Sequence, residues 1–212
     1  MHNYKLTYFD FRWFGEGARL LFHYAGVPFE DERIQVDQWP ALKPKMPFGQ
    51  LPVLTVDGKV IAQSGAICRY LAREFDLVPK NPVDDALVDS IYDAHKDFLL
   101  QSKPYFMVVT GFTKGDKEKL FKGVLLPARD LYFPCINNYL SMSDSIHLID
   151  KQLSWVDIVI ADNLCDIEEI VPTIFDGYPE LKKFADKIHS IPQLQKYLKE
   201  RPAVKYPKID EQ

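Results

Sequence analysis

The sequence predicts a small α/β domain followed by an all-helical domain. Two observations carry that class. Strand-like and helix-like patterns alternate over the first third of the chain, and beyond a proline-rich break at residues 76–85, "DLVPKNPVDD", apolar residues recur only at helical spacing.

The first segment, "YKLTYF" at 4–9, sets Tyr4, Leu6 and Tyr8 against Lys5, Thr7 and Phe9, the period of a strand. In "GEGARLLFHYAG" the spacing of Leu20, Leu21 and Tyr24 predicts a helix face, with Gly26 just past its end. "FEDERIQV" predicts a second, more polar strand, and a loop follows. "LPVLTV" and "KVIAQ" predict a hairpin closed by Asp57-Gly58. In "QSGAICRYLAREF", Ile67, Tyr70, Leu71 and Phe75 fall on one helical stripe.

Asn81-Pro82 with Asp84 carries the marks of a helix start: a cap, a proline in the first turn and an early acid. Helical spacing then runs from Ala86 to about Val109, from Leu120 to Leu140 and from Trp155 to Ile170, and two shorter helical segments close the chain. Ser154-Trp155-Val156-Asp157 is a capping box. The expected organisation is a first domain at residues 1–78, a linker at 79–83 and a helical domain at 84–212.

Composition narrows the function classes. The 212 residues are 47% hydrophobic and 26% charged, with a formal net charge of −4. That balance weighs against a general nucleic-acid binder, which needs a basic face to displace counterions. No apolar run approaches the roughly 20 residues needed to span a bilayer. The N-terminus lacks the order of a secretory signal. Cys68, Cys135 and Cys165 form neither a CxxC pair nor a zinc spacing, which fits a reducing, cytoplasmic setting without metal. The five histidines are scattered, and His95 is expected at a surface or interface. Cys68 is expected to pack rather than react.

Tyr8, "QWPALK", "FGQLPVL", the Asp57-Gly58 hairpin, "QSGAI", Asp97 and "SWVD" occur in that order. As an ordered set they resemble a cytosolic glutathione transferase, sigma class, of the kind common in nematodes. The resemblance implies a thioredoxin-like N-terminal domain and an all-α C-terminal domain. It implies a cis Leu51-Pro52 bond that turns the Leu51 backbone toward the cysteinyl part of glutathione. By the same resemblance Gln63 and Ser64 hold the γ-glutamyl carboxylate at a helix N-terminus, and Trp39, Lys43 and Gln50 serve the glycyl end. Asp97 then reaches the ligand of the other subunit of a homodimer, and Tyr8 activates the thiol. Phe9, Phe11, Trp13, Phe14, Leu99, Tyr105 and Val159 are implied to wall a pocket for apolar electrophiles. Glutathione is the implied co-substrate, with no metal or prosthetic group.

Taken singly, these residues have plainer roles. A strand-ending tyrosine is a core residue, Pro52 an edge-strand proline and Ser64 a helix cap. Lys43 and Asp97 are surface charges, and Trp39 is core. Many sigma members carry a small residue at position 13 and arginine at 14, where this chain has Trp13 and Phe14. The substitution removes the usual cation beside Tyr8 and weighs against prostaglandin-type isomerase activity. The same fold also admits a non-catalytic carrier of haem or similar apolar ligands, and a purely structural role.

Overall fold

The computed structural model describes residues 2–143, 145–149 and 152–203. The chain divides after Val78 into two compact units, and the segment His189–Val204 belongs to the first.

In the first unit a four-stranded sheet has the order β2-β1-β3-β4. Strand β1 (Tyr4–Phe9) lies parallel to β2 (Glu30–Ile34) and antiparallel to β3 (Val53–Val56), which pairs antiparallel with β4 (Lys59–Ala62). Leu6 and Leu54 face each other in register and are fully buried. The β3–β4 turn places Asp57 at φ 48° and Gly58 at φ 83°. Both are left-handed, as a two-residue hairpin whose twist matches the strands requires. Helix α1 (Glu16–Ala25) ends on Gly26 at φ 65°, the expected C-terminal cap. It packs against α3 (Ser64–Glu74) and against α9 (Pro192–Glu200). Aromatic contacts weld this core: Phe22 stacks on Phe29 at 4.3 Å and meets Tyr4 edge-on at 5.1 Å.

Two differences from the sequence reading arise here. The loop after β2 is a run of short turns: a 3-10 turn at Val36–Gln38, α2 at Trp39–Leu42 and a second 3-10 turn at Lys43–Lys45. Turns of three or four residues produce no periodicity, so the sequence shows only a loop. Helix α9, expected in the helical domain, belongs to the first unit. Its apolar stripe, with Leu194 and Tyr197 buried, says that it packs but not on what.

The second unit is helical: α4 (Pro82–Val109), α5 (Lys117–Leu120), α6 (Leu126–Met142), α7 (Trp155–Ile170) and α8 (Pro179–His189). Asn81 caps α4 by accepting the Val83 N–H at 2.8 Å. The capping box before α7 forms as expected. Buried Asp157 accepts from the Ser154 N–H and Oγ at 2.8 Å each, and also from the Leu148 N–H at 2.8 Å. The single helical pattern expected over 120–140 is split by a π-helical turn at Phe121–Leu125. Pro127, which lacks an N–H, sits where the regular helix restarts.

His95 is a correction. It is fully buried rather than at a surface. Its Nδ1 lies 3.0 Å from the Tyr132 hydroxyl and its Nε2 lies 3.0 Å from Asn163 Oδ1. Asn163 Oδ1 only accepts, so Nε2 carries the proton and Nδ1 accepts from Tyr132. Burial pushes the imidazole down to about 4. Its partners lie on other helices, and no local pattern announces them.

Candidate active site

Strand registry gathers the site at one end of the sheet. Thr7 faces Val53 on β3, and Val53 faces Ala62 on β4. One residue further on in each strand stand Tyr8, Pro52 and Gln63. The Leu51-Pro52 bond is cis, and Pro52 is buried just ahead of β3, where a proline costs no ladder hydrogen bond. Gln63 has φ 74°, an uncommon left-handed setting for a residue with a side chain. It ends β4 and starts α3 at Ser64, which is buried. The Gln63 amide donates to Gln50 Oε1 at 3.0 Å, so two expected ligand residues touch. As in any helix, the first turn of α3 presents N–H groups with no intrahelical acceptor, which suits a carboxylate.

Tyr8 is buried in β1, and its hydroxyl is hydrogen-bonded to the Phe14 backbone. Burial pushes the phenol well above its usual value, against the opposing pull of Arg19 and the Phe14 backbone bond. The group is therefore a protonated donor at neutral pH. Phe9 and Phe11 stand edge-on to the Tyr8 ring at 5.6 Å and stack on each other at 5.1 Å. Trp39 meets Phe9 edge-on at 5.6 Å. Trp13, with φ 57°, opens the 3-10 turn Trp13–Gly15, and its ring lies 6.3 Å from that of Phe14. Lys43 is exposed, with its aliphatic stem 3.6 Å from where a side chain on Gly49 would begin.

The remaining expected residues lie in the second unit. Asp97 is exposed on α4. Leu99, Tyr105 and Val159 are buried there, and Tyr105 lies against Phe121 at 5.9 Å. Burial raises the Tyr105 hydroxyl as well. The buried thiol of Cys68 is pushed up to about 12 by desolvation, in line with packing rather than nucleophilic chemistry.

Two features were missed in the sequence. Arg19 is completely buried, with its guanidinium 5.7 Å from the centre of the Tyr8 ring. The substitution at position 14 therefore does not leave Tyr8 without a neighbouring cation. Its signal was Glu16-Gly-Ala-Arg19, an i, i+3 ion pair placed among apolar residues of α1. Gly15 is the second. A Cβ there would fall 2.2 Å from Tyr8 Cδ1.

Comparisons with known proteins show the family. Residues 4–73 match the glutathione S-transferase N-terminal domain, and residues 101–201 match the C-terminal domain of the same family. "Glutathione S-transferase 1" of Ascaris suum is 50% identical over 97% of this chain and 100% of its own length. Among solved structures, the Ascaris lumbricoides glutathione S-transferase superposes with a TM-score of 0.91 at 50% identity, covering 96% of this chain and 100% of that one. A monomeric enzyme from the hookworm Necator americanus gives 0.91 at 46%, covering 96% and 100%. A Nu-class enzyme from Haemonchus contortus gives 0.87 at 43%, covering 97% and 100%.

The chain belongs to the glutathione S-transferase family. It is an enzyme of that activity, with glutathione as the family's substrate. No helix among the described residues is long and apolar enough to cross a membrane.

Proposed function

We propose that Tyr8 activates the glutathione thiol and that the thiolate attacks an apolar electrophile, with lipid peroxides as a further substrate class. The observation that carries this reading is the buried, protonated Tyr8 hydroxyl in line with cis Leu51-Pro52 and Gln63 at one end of the sheet. A free thiol with pKa near about 8.5 is only a few per cent thiolate at pH 7. Lowering it by about two units requires about 2.7 kcal/mol in favour of the anion. A hydrogen bond to a charged acceptor contributes roughly 1.5–3 kcal/mol, so one donated O–H supplies most of the change. A phenol oxygen that accepts from Phe14 keeps its own proton to donate to sulfur.

In this reading Leu51 pairs through its backbone with the cysteinyl unit, while Gln63 and Ser64 receive the γ-glutamyl carboxylate. Trp39, Lys43 and Gln50 hold the glycyl end, with Lys43 as a point charge. Phe9, Phe11, Trp13 and Phe14 contact the electrophile. The enzyme is a cytoplasmic homodimer of the sigma class, working in detoxification, and Asp97 serves the partner's ligand.

The test is conjugation of a chlorinated aromatic. Tyr8→Phe keeps glutathione binding and loses about 10- to 100-fold in rate at pH 7, with the pH–rate profile displaced upward. An unchanged profile removes Tyr8 from this role. Retention of glutathione without turnover in the unmodified protein favours a ligand carrier instead.

A further inference from the structure

Glu16 and Arg19, on α1, are 1% and 0% exposed, and the proposed mechanism gives them no part. Burying two charges is costly unless each is fully paired, so their partners define what the pair holds in place. The Arg19 guanidinium has them on every side. Its Nε donates to Asp31 at 3.0 and 3.1 Å, and its Nη1 to Glu16 at 3.2 Å and to the Phe11 carbonyl at 2.9 Å. Its Nη2 donates to the Phe9 carbonyl at 3.1 Å. The two carbonyls belong to the backbone that leaves Tyr8, and the same guanidinium lies 5.7 Å from the Tyr8 ring. One side chain thus fixes the path of the chain beyond Tyr8 and sets a positive charge beside its ring.

Glu16 is held in turn from α9 and the residue that follows it. Tyr197 donates its hydroxyl to Glu16 Oε1 at 2.8 Å, and Arg201 donates to the same oxygen at 3.0 Å. Tyr197 is itself braced by the His23 ring, stacked at 4.0 Å. Further charges lie close by: Arg33 pairs with Asp31 at 2.7 Å and with Asp10 at 3.1 Å, and Arg12 lines one small cavity together with Glu16, Arg33 and Arg201. All these groups lie within the first unit.

We propose that Arg19 is a positioning residue for the thiol-activating hydroxyl of Tyr8, and that Tyr197 of α9 and Arg201 just past its end set its efficacy by holding Glu16. The inference rests on the transferase reading. A cation beside the phenol favours the hydrogen bond donated to an anionic sulfur. Glu16 carries the opposing charge; the Tyr197 hydroxyl and the Arg201 guanidinium hold its Oε1, and Arg201 also supplies a balancing positive charge. Weakening that hold leaves more negative charge facing Tyr8 and disfavours the thiolate. An arginine is needed because its rigid fork serves two carbonyls and two carboxylates at once, which a lysine ammonium cannot do.

The experiment measures kcat/KM for conjugation of a chlorinated aromatic from mildly acidic to alkaline pH, alongside thermal melting. Tyr197→Phe removes one hydroxyl, and Arg201→Gln removes one charge. Each is expected to lose roughly threefold at pH 7 and to recover the wild-type value at alkaline pH, where the thiol ionises unaided. Arg19→Gln is expected to lose roughly tenfold with the same recovery, and Arg19→Lys to restore only part of it. Arg19 variants that fail to fold leave the Tyr197 and Arg201 variants to decide. A loss equal at every pH, or no loss in either the Tyr197 or the Arg201 variant while the wild type turns over, overturns the inference and leaves the transferase reading standing. A wild type that binds glutathione without turnover overturns that reading, and this inference falls with it.

Discussion

Gly15→Ala adds one methyl group beside the proposed catalytic hydroxyl. The new carbon would lie 2.2 Å from Tyr8 Cδ1, 2.5 Å from Cγ and 2.9 Å from Cε1. Carbon atoms in contact prefer about 3.5–4.0 Å, so the gap must widen by more than about 1 Å. The atoms struck are at the root of the ring, not at a flexible tip, and Tyr8 is buried and enclosed by Phe9, Phe11 and Arg19. The ring cannot swing aside without carrying its hydroxyl away from the Phe14 backbone. Gly15 itself sits at φ −89° and ψ −23°, a setting alanine adopts freely, so backbone strain plays no part.

Two stability effects then compete. Alanine at an unstrained position contributes about 0.4–1 kcal/mol by restricting the unfolded chain. Overpacking a filled core costs typically about 1–3 kcal/mol. A net loss of about 1–2 kcal/mol in denaturant unfolding is expected. The effect on rate is larger, because a misplacement of about 1 Å at a reacting group costs on the order of 100-fold. The assay is kcat/KM at pH 7 with glutathione saturating, together with the glutathione dissociation constant. A roughly 10- to 100-fold fall in kcat/KM with glutathione affinity changed less than about threefold is expected. Full activity in Gly15→Ala would refute the claim that the absent Cβ sets the position of Tyr8.

His95 has a folded-state pKa of about 4, below its ordinary 6.5. The unfolded state therefore takes up the proton first, and stability is full above about pH 6.5. It falls by about 3 kcal/mol as the pH drops to about 4, a loss that urea titrations of the wild type and of His95→Gln would separate. Asp157→Ala strands three donors that now converge on one buried carboxylate, and is expected to cost about 3 kcal/mol in the same measurement. A cost below about 1 kcal/mol would mean that the capping box is replaceable. Asp97→Ala is expected to raise the KM for glutathione with the melting temperature unchanged, in a protein that sediments as a dimer. Full activity in a monomer would refute the shared site.

The local elements were legible in the sequence because their causes are local. Alternation fixes β1 at Tyr4–Phe9, and Asp57-Gly58 supplies the two left-handed residues its hairpin needs. Gly26 can end α1 because it adopts a left-handed conformation without steric cost. The Ser154–Asp157 box starts α7 where the pattern places it. Of the candidate site, the ordered set from Tyr8 to Ser64 was legible only as a resemblance to a known family; taken singly, a strand-ending tyrosine reads as core and a helix-starting serine as a cap. Tertiary structure alone decided which distant groups meet. Nothing near residue 16 announces that Glu16 takes its partners from residues 197 and 201. Periodicity records that a face is apolar, not what covers it, so neither α9's place in the first unit nor the burial of His95 between Tyr132 and Asn163 was readable. Gly15 shows the same limit: the glycine is visible in the sequence, but the tyrosine ring that requires it comes from another element.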